Sequence, residues 1–224
     1  MEIGIEPFEF MQCVSILKST GKFAKNLGEL RTLISESGDE SIFHHTHQYF
    51  IKGLILEYTN DFAEWAGATL EERALAERLS CIDPYILKSV SEVRKKLIRE
   101  IDGFLADFPE PRDVLTGNEF YLNETVSLVF PVGVTAENLE ELLIIVEHID
   151  KSSIYYHFFD SRFRLGEGVV DDFSRWIEHG LGKQYLAEKI RAIDPFVHSI
   201  ESIRTHIIEV IEAHLRTKKD GTSH

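Results

Sequence analysis

Three histidines crowd one short stretch of this 224-residue chain, Phe43-His44-His45-Thr46-His47. On a helix His44 and His47 are i,i+3 neighbours, and imidazoles placed that way can chelate zinc, nickel, copper or iron. Asp61 or His157 would complete such a centre. His44, His47 and Asp61 are therefore the candidate metal ligands, and a transition metal is the candidate cofactor. His45 is different, because a second histidine, His157, recurs later in matching surroundings. Ile42, His45 and Tyr49 share a helical face, which turns the His45 ring toward the core. A buried neutral imidazole bonded to a carboxylate or a backbone carbonyl is expected there. The functional alternative is a proton-transfer or ligand-binding histidine with a shifted pKa.

Other residues invite chemistry less strongly. Asp61 and Asp172, and again Asp83 and Asp194, resemble carboxylate pairs for acid–base work. Each stands just before a helical pattern, however, which favours capping. Arg94 and Arg204 sit on otherwise apolar helices and suit ion pairs with Glu29 and Glu141 or with an aspartate; anion binding is the alternative. Trp65 and Trp176 lie three residues after Phe62 and Phe173, the spacing of core anchors more than of a stacking platform. His45, His157, Trp65, Trp176, Arg94 and Arg204 form the candidate ligand or interface set. The glycines of 164–168 and 180–183 lack the strand–loop–helix setting of a phosphate loop. The sequence has no H-E-x-x-H, paired-cysteine or Gly-x-Ser-x-Gly motif.

These candidates recur because the chain matches itself. Phe8 aligns with Phe120, Gly21 with Gly133, and Asn26-Leu27-x-Glu29-Leu30 with Asn138-Leu139-x-Glu141-Leu142. His45 then falls on His157, and Asp61-Phe62-x-x-Trp65 on Asp172-Phe173-x-x-Trp176. The period of ~100 residues is that of a domain, not of a solenoid repeat. The reading is a tandem duplication, 1–108 and 117–216, joined by a turn-rich linker through Pro109, Pro111 and Gly117. Two such units would dock most simply about a pseudo-two-fold axis, as a fused homodimer.

Each unit opens with a period-2 segment. Phe120, Leu122, Val126, Leu128 and Phe130 would share one strand face, as would Phe8, Phe10, Val14 and Ile16, although the first segment could turn helical after Gln12. Helices follow. Asn26 and Asn138 occupy N-cap positions. A second helix runs from Ile42 to Ile51, and its counterpart from Ile154 to Phe163. Asp61 with Glu64, Thr69 with Glu72, and Ser89 with Glu92 read as capping boxes, and Asp83-Pro84 and Asp194-Pro195 as helix starts. The fold class is mainly α, with a minor β component at the start of each unit.

Composition narrows the function. A formal charge of −14 argues against nucleic-acid and anionic-membrane partners, which require a basic stripe. No apolar run approaches the ~20 residues of a membrane span. Two cysteines without metal-type spacing fit reduced thiols, and a soluble cytoplasmic protein is expected.

The aromatic opening segment, the Asn26–Leu30 motif, Ser41–His47 and the Asp61-Phe62-x-x-Trp65 box together resemble an uncharacterised bacterial and archaeal family of unknown function, here as two copies covering nearly the whole chain. The second copy keeps His157 but lacks the Thr-His continuation. The resemblance implies no activity and no catalytic residues. The leading expectation is an acidic two-repeat binding or assembly module without catalysis of its own, acting as an intramolecular pseudo-dimer on a protein partner or small ligand. The alternatives are a metal-dependent or acid–base enzyme using His44, His45 and His47 with Asp61, and a small-ligand sensor binding between the repeats.

Overall fold

The structure, a computed structural model, describes residues 6–47, 57–84, 86–87, 89–164, 170–194 and 199–221. It is mainly helical with a small β component. Among the described residues two strands, β1 (Phe8–Ala24) and β2 (Phe120–Ala136), pair in a two-stranded sheet. Lys18 meets Glu124 while Thr20 meets the Leu122 carbonyl, so the strands run antiparallel.

The chain falls into two compact units that do not follow chain order. One is continuous, Ser15–Ser127; the other combines Met1–Val14 with Leu128–His224. The continuous unit holds α1 (Leu27–Glu36), α2 (Asp39–His47), α3 (Asp61–Glu64), α4 (Arg73–Ser80) and α5 (Val90–Asp107), with a π-helical turn at Trp65–Thr69. Its core gathers Leu27, Leu30 and Ile34 of α1, Phe62 of α3, and Val93, Leu97 and Ile101 of α5. Phe120 and Leu122 from the start of β2 complete it.

The split unit holds α6 (Leu139–His148), α7 (Lys151–Ile154), α8 (Ser161–Arg164), α9 (Asp172–His179), α10 (Gln184–Arg191) and α11 (Ile200–Gly221). A π-helical turn, Tyr155–Asp160, joins α7 to α8. Leu139, Leu142, Phe158, Phe173, Ile190 and Ile203 are among its buried residues, and Phe8 and Phe10 from the start of β1 are buried with them.

Local chemistry explains most helix ends. The Asn26 side chain accepts from Glu29 N, while the Glu29 carboxylate accepts from Lys25 N. Asn138, Glu141 and Glu137 repeat both bonds, so two orphan donors are satisfied at each N-terminus. Ser89 caps α5 through Glu92 N, as expected. The Thr69–Glu72 box does not form. Glu72 is itself the N-cap of α4 and makes no side-chain cap bond, and Glu71 before it takes a left-handed φ of 59°. Pro84 lies in a turn, and no helix starts at Asp83 or Asp194 among the described residues. Gln48–Ile51, including Tyr49, together with Pro195 and the glycines of 165–168, lie outside the described residues.

The strand faces also differ from the simple alternation. Phe120 and Leu122 are buried, but the next buried position is Thr125, and Val126, Leu128 and Phe130 are exposed. In β1 Phe8 and Phe10 are followed by buried Cys13, with Val14 and Ile16 exposed, and the strand continues to Ala24 without turning helical. Inward spacing slips by one residue at Met11–Gln12 and at Asn123–Glu124, as it does at a β-bulge. Burial is confined to the opening of each strand and to its last residue, Ala24 or Ala136.

Gly21 and Gly133 hold φ of 72° and 82° inside the strands, in open surroundings. A side chain there would meet no atom and would suffer only the left-handed backbone penalty. Gly133→Ala is expected to lower stability by about 1 kcal/mol in urea unfolding, and Gly133→Asn by less.

Candidate functional site

The matched histidines are both buried, and each is held from both ends. His45 Nδ1 lies 2.8 Å from Asp61 Oδ2, and His45 Nε2 accepts the backbone N–H of Asn123 at 3.0 Å. His157 Nδ1 lies 2.9 Å from Asp172 Oδ2, and its Nε2 accepts the Met11 N–H at 2.8 Å. A backbone amide can only donate, so Nε2 carries no proton and Nδ1 must donate to the carboxylate. Geometry thus fixes the neutral Nδ1–H tautomer in both rings. The contact to aspartate is a hydrogen bond from a neutral ring, not an ion pair.

The same helices grip the strand opening at further points. Trp65 Nε1 donates to the Asn118 carbonyl and Trp176 Nε1 to the Glu6 carbonyl, both at 2.8 Å. Each acceptor lies two residues before the strand's first phenylalanine. Phe120 stacks on Phe62 at 5.2 Å and meets Trp65 edge-on, while Phe8 stacks on Phe173 at 5.3 Å and meets Trp176 edge-on. Such aromatic pairs contribute about 0.5–1.5 kcal/mol beyond their buried area. Ser153 Oγ donates to the Met11 carbonyl at 2.6 Å, so Met11 is bonded through both its N–H and its C=O. Histidine, aspartate, tryptophan and phenylalanine form one clamp on an extended segment, once in each unit.

Capping does not explain Asp61 and Asp172, contrary to the sequence expectation. The caps lie one residue earlier: Asn60 accepts from Ala63 N and Asp171 from Ser174 N. That leaves Asp61 and Asp172 in the first helical turn with their carboxylates turned to the histidines. The adjacent pairs Asn60-Asp61 and Asp171-Asp172 carry the signal for this division of labour. Asp171 is sealed in the split unit, where burial pushes its carboxyl pKa up against the pull of the Arg162 guanidinium, 3.7 Å away.

The unmatched histidines have other neighbours. His44 Nδ1 lies 2.8 Å from Thr125 Oγ1. The corresponding residues of the split unit are Tyr156 and Cys13, both buried, so the two members of the contact differ together. His47 stacks on Phe43 at 5.0 Å, where Phe159 stacks on Tyr155 at 5.8 Å in the split unit. Among the described residues, His44, His45 and Asp61 bring potential metal-ligand atoms within 4.8 Å of one another.

Arg94 closes the corner between α1 and α2. It donates to the carbonyls of Ile34 and Ser37 at 2.6 and 2.7 Å and to Asp39 at 2.6 Å. Arg204 donates to the Val146 carbonyl at 2.6 Å and pairs with Glu201 at 2.8 Å. Both satisfy carbonyls left over at a helix C-terminus, where a cation also suits the helix dipole. Glu29 and Glu141 serve the helix N-termini instead.

Two measurements follow from this geometry. His157→Phe leaves the Met11 amide and the Asp172 carboxylate without the ring, so a loss of about 2–4 kcal/mol is expected in chemical unfolding. His45→Phe should behave alike in the continuous unit. His47, held at a pKa of about 3 chiefly by burial against the pull of the Pro84 and Phe43 carbonyls, supplies the second. Its ordinary value is 6.5. As pH falls below that value the unfolded chain takes up a proton that the folded chain refuses until about pH 3. The stability present above pH 6.5 is therefore lost progressively toward pH 3, with a slope of at most about 1.4 kcal/mol per pH unit from this residue. In denaturation measured across that range, His47→Phe should flatten the profile.

A model for a family of unknown function, DUF5752, matches residues 5–212 and runs through both halves as one piece. The structure of OrfY from Thermoproteus tenax is 30% identical and superposes with a TM-score of 0.80, covering 93% of this chain and 95% of that one. No curated protein matches the sequence. Among the described residues no helix is long and apolar enough to cross a membrane. The chain belongs to the DUF5752 family, whose function is unknown.

Proposed function

We propose that this protein is a binding or assembly module without catalysis of its own, built from two tandem copies of a ~100-residue helical unit. The observation that carries the reading is the state of the matched histidines. Each is buried, with Nδ1 bonded to an aspartate and Nε2 to a strand amide. A general base needs a lone pair turned toward substrate, and a metal ligand needs one turned toward the ion. Here that lone pair faces the backbone. The matched caps, clamp and burial patterns support duplication, and the pseudo-two-fold axis that a fused homodimer would leave belongs to the same proposal.

A second reading has one observation in its favour, the close approach of His44, His45 and Asp61. A metal there would have to replace the 2.8 Å His45–Asp61 bond and take the Nδ1 proton. Elemental analysis of the full chain, purified without an affinity tag, separates the two. The module reading expects metal well below one equivalent, and an unchanged melting temperature after chelation. Stoichiometric metal lost on His44→Ala, or saturable turnover lost on Asp61→Asn, would overturn it.

A further inference from the structure

Within the continuous unit, α1, the end of α5 and the linker after it enclose a cavity of about 200 Å³. Its floor is apolar, with Leu27, Leu70 and Phe104 all buried. Phe108 packs on Phe104 at 4.9 Å yet is 59% exposed, which places it at the mouth. Glu72, Glu110 and Arg112 supply the charged lining. An apolar floor with a few charged groups around it is the composition of a small-molecule site.

The repeat separates what the fold needs from what this cavity adds. Leu27 and Leu70 recur as Leu139 and Leu181, whereas Glu72 and Phe104 fall on Lys183 and His214. Glu71, next to the lining, holds a left-handed φ of 59° where the split unit has Gly182 at 64°. Glycine takes that conformation freely and glutamate does so under strain. Arg112 secures the corner, donating to the Leu70 carbonyl and reaching the Glu71 carboxylate at 3.5 Å. Strain that neighbours hold in place is characteristic of ligand clamps.

Charge selects the ligand. Among the described residues the Glu72 and Glu110 carboxylates have no hydrogen bond or ion pair. Arg112 spends one guanidinium nitrogen, Nη2, on the corner and keeps Nε and Nη1 for another acceptor. A simple cation would leave that guanidinium unmatched, and a simple anion would face two carboxylates. We propose that the cavity binds a free amino acid with an apolar side chain, leucine or phenylalanine. Its carboxylate meets Arg112, its ammonium meets Glu72 and Glu110, and its side chain lies on Leu27, Leu70 and Phe104. A residue within or at one end of a peptide carries at most one of those two backbone charges. An apolar cavity of about 150 Å³ already holds benzene, so this volume suits a branched or aromatic side chain and is too small for a drug-sized molecule.

The proposal rests on the binding reading and fails separately from it: an empty cavity would end the ligand and leave that reading, while turnover or stoichiometric metal would end the reading and leave the ligand. Isothermal titration calorimetry of the full chain with L-leucine and L-phenylalanine tests it. Isoamylamine and isocaproate, which are leucine without its carboxyl and without its amino group, separate the two charges. The expected result is one amino acid bound per chain, with both leucine fragments at least tenfold weaker. Arg112→Gln, and Glu72→Gln combined with Glu110→Gln, should each weaken binding at least tenfold with unchanged circular dichroism. If Arg112→Gln disturbs the corner it secures, the paired glutamate variant and the two fragments on the unaltered chain carry the test. No binding of either amino acid at millimolar concentration overturns the proposal. So does a fragment that binds as tightly as leucine, or binding indifferent to the folded glutamate variant.

Discussion

The fold depends on how the opening of each strand is received. A strand amide buried beside helices must find an acceptor, because an orphaned backbone donor costs about 1–3 kcal/mol. Here the acceptor is a histidine ring nitrogen, and an aspartate at the start of the next helix holds the ring's other nitrogen so that the lone pair faces the strand. Imidazole suits the task, since its neutral form has one donor and one acceptor on opposite sides. The tryptophan N–H and the stacked phenylalanines then fix where along the strand the grip falls.

This arrangement separates two meanings of a histidine–aspartate pair. In a catalytic dyad the aspartate orients the ring so that Nε2 reaches a substrate. Here the aspartate does the same orienting, and Nε2 reaches the polypeptide. Sequence spacing alone does not distinguish the two, because it says nothing about what lies beyond Nε2.

Much of the fold was legible in the residues, and part of the site. The helix caps at Asn26, Asn138 and Ser89 follow from local hydrogen bonding, which spacing in sequence reports directly. A buried, hydrogen-bonded His45 follows from its helical face. Asp61 and Asp172 were misread because a cap and a first-turn carboxylate are one residue apart, too fine for periodicity to resolve. The slip in the strand faces was hidden for a related reason: alternation reports which side chains are apolar, not how far the helices extend over them. Which helices would receive which strand was not legible at all, because contacts across more than a hundred residues leave no local pattern.

The division of each strand has a consequence for how this gene can change. Residues 1–14 belong to a unit whose helices lie beyond residue 127, while residues 15–127 include the opening of the second strand. Deleting either half of the reading frame would strip the surviving helices of the segment that fills them, while stranding another segment without a host. Neither half of the chain can be shed alone, because each carries a strand segment that belongs to the unit built from the helices of the other half.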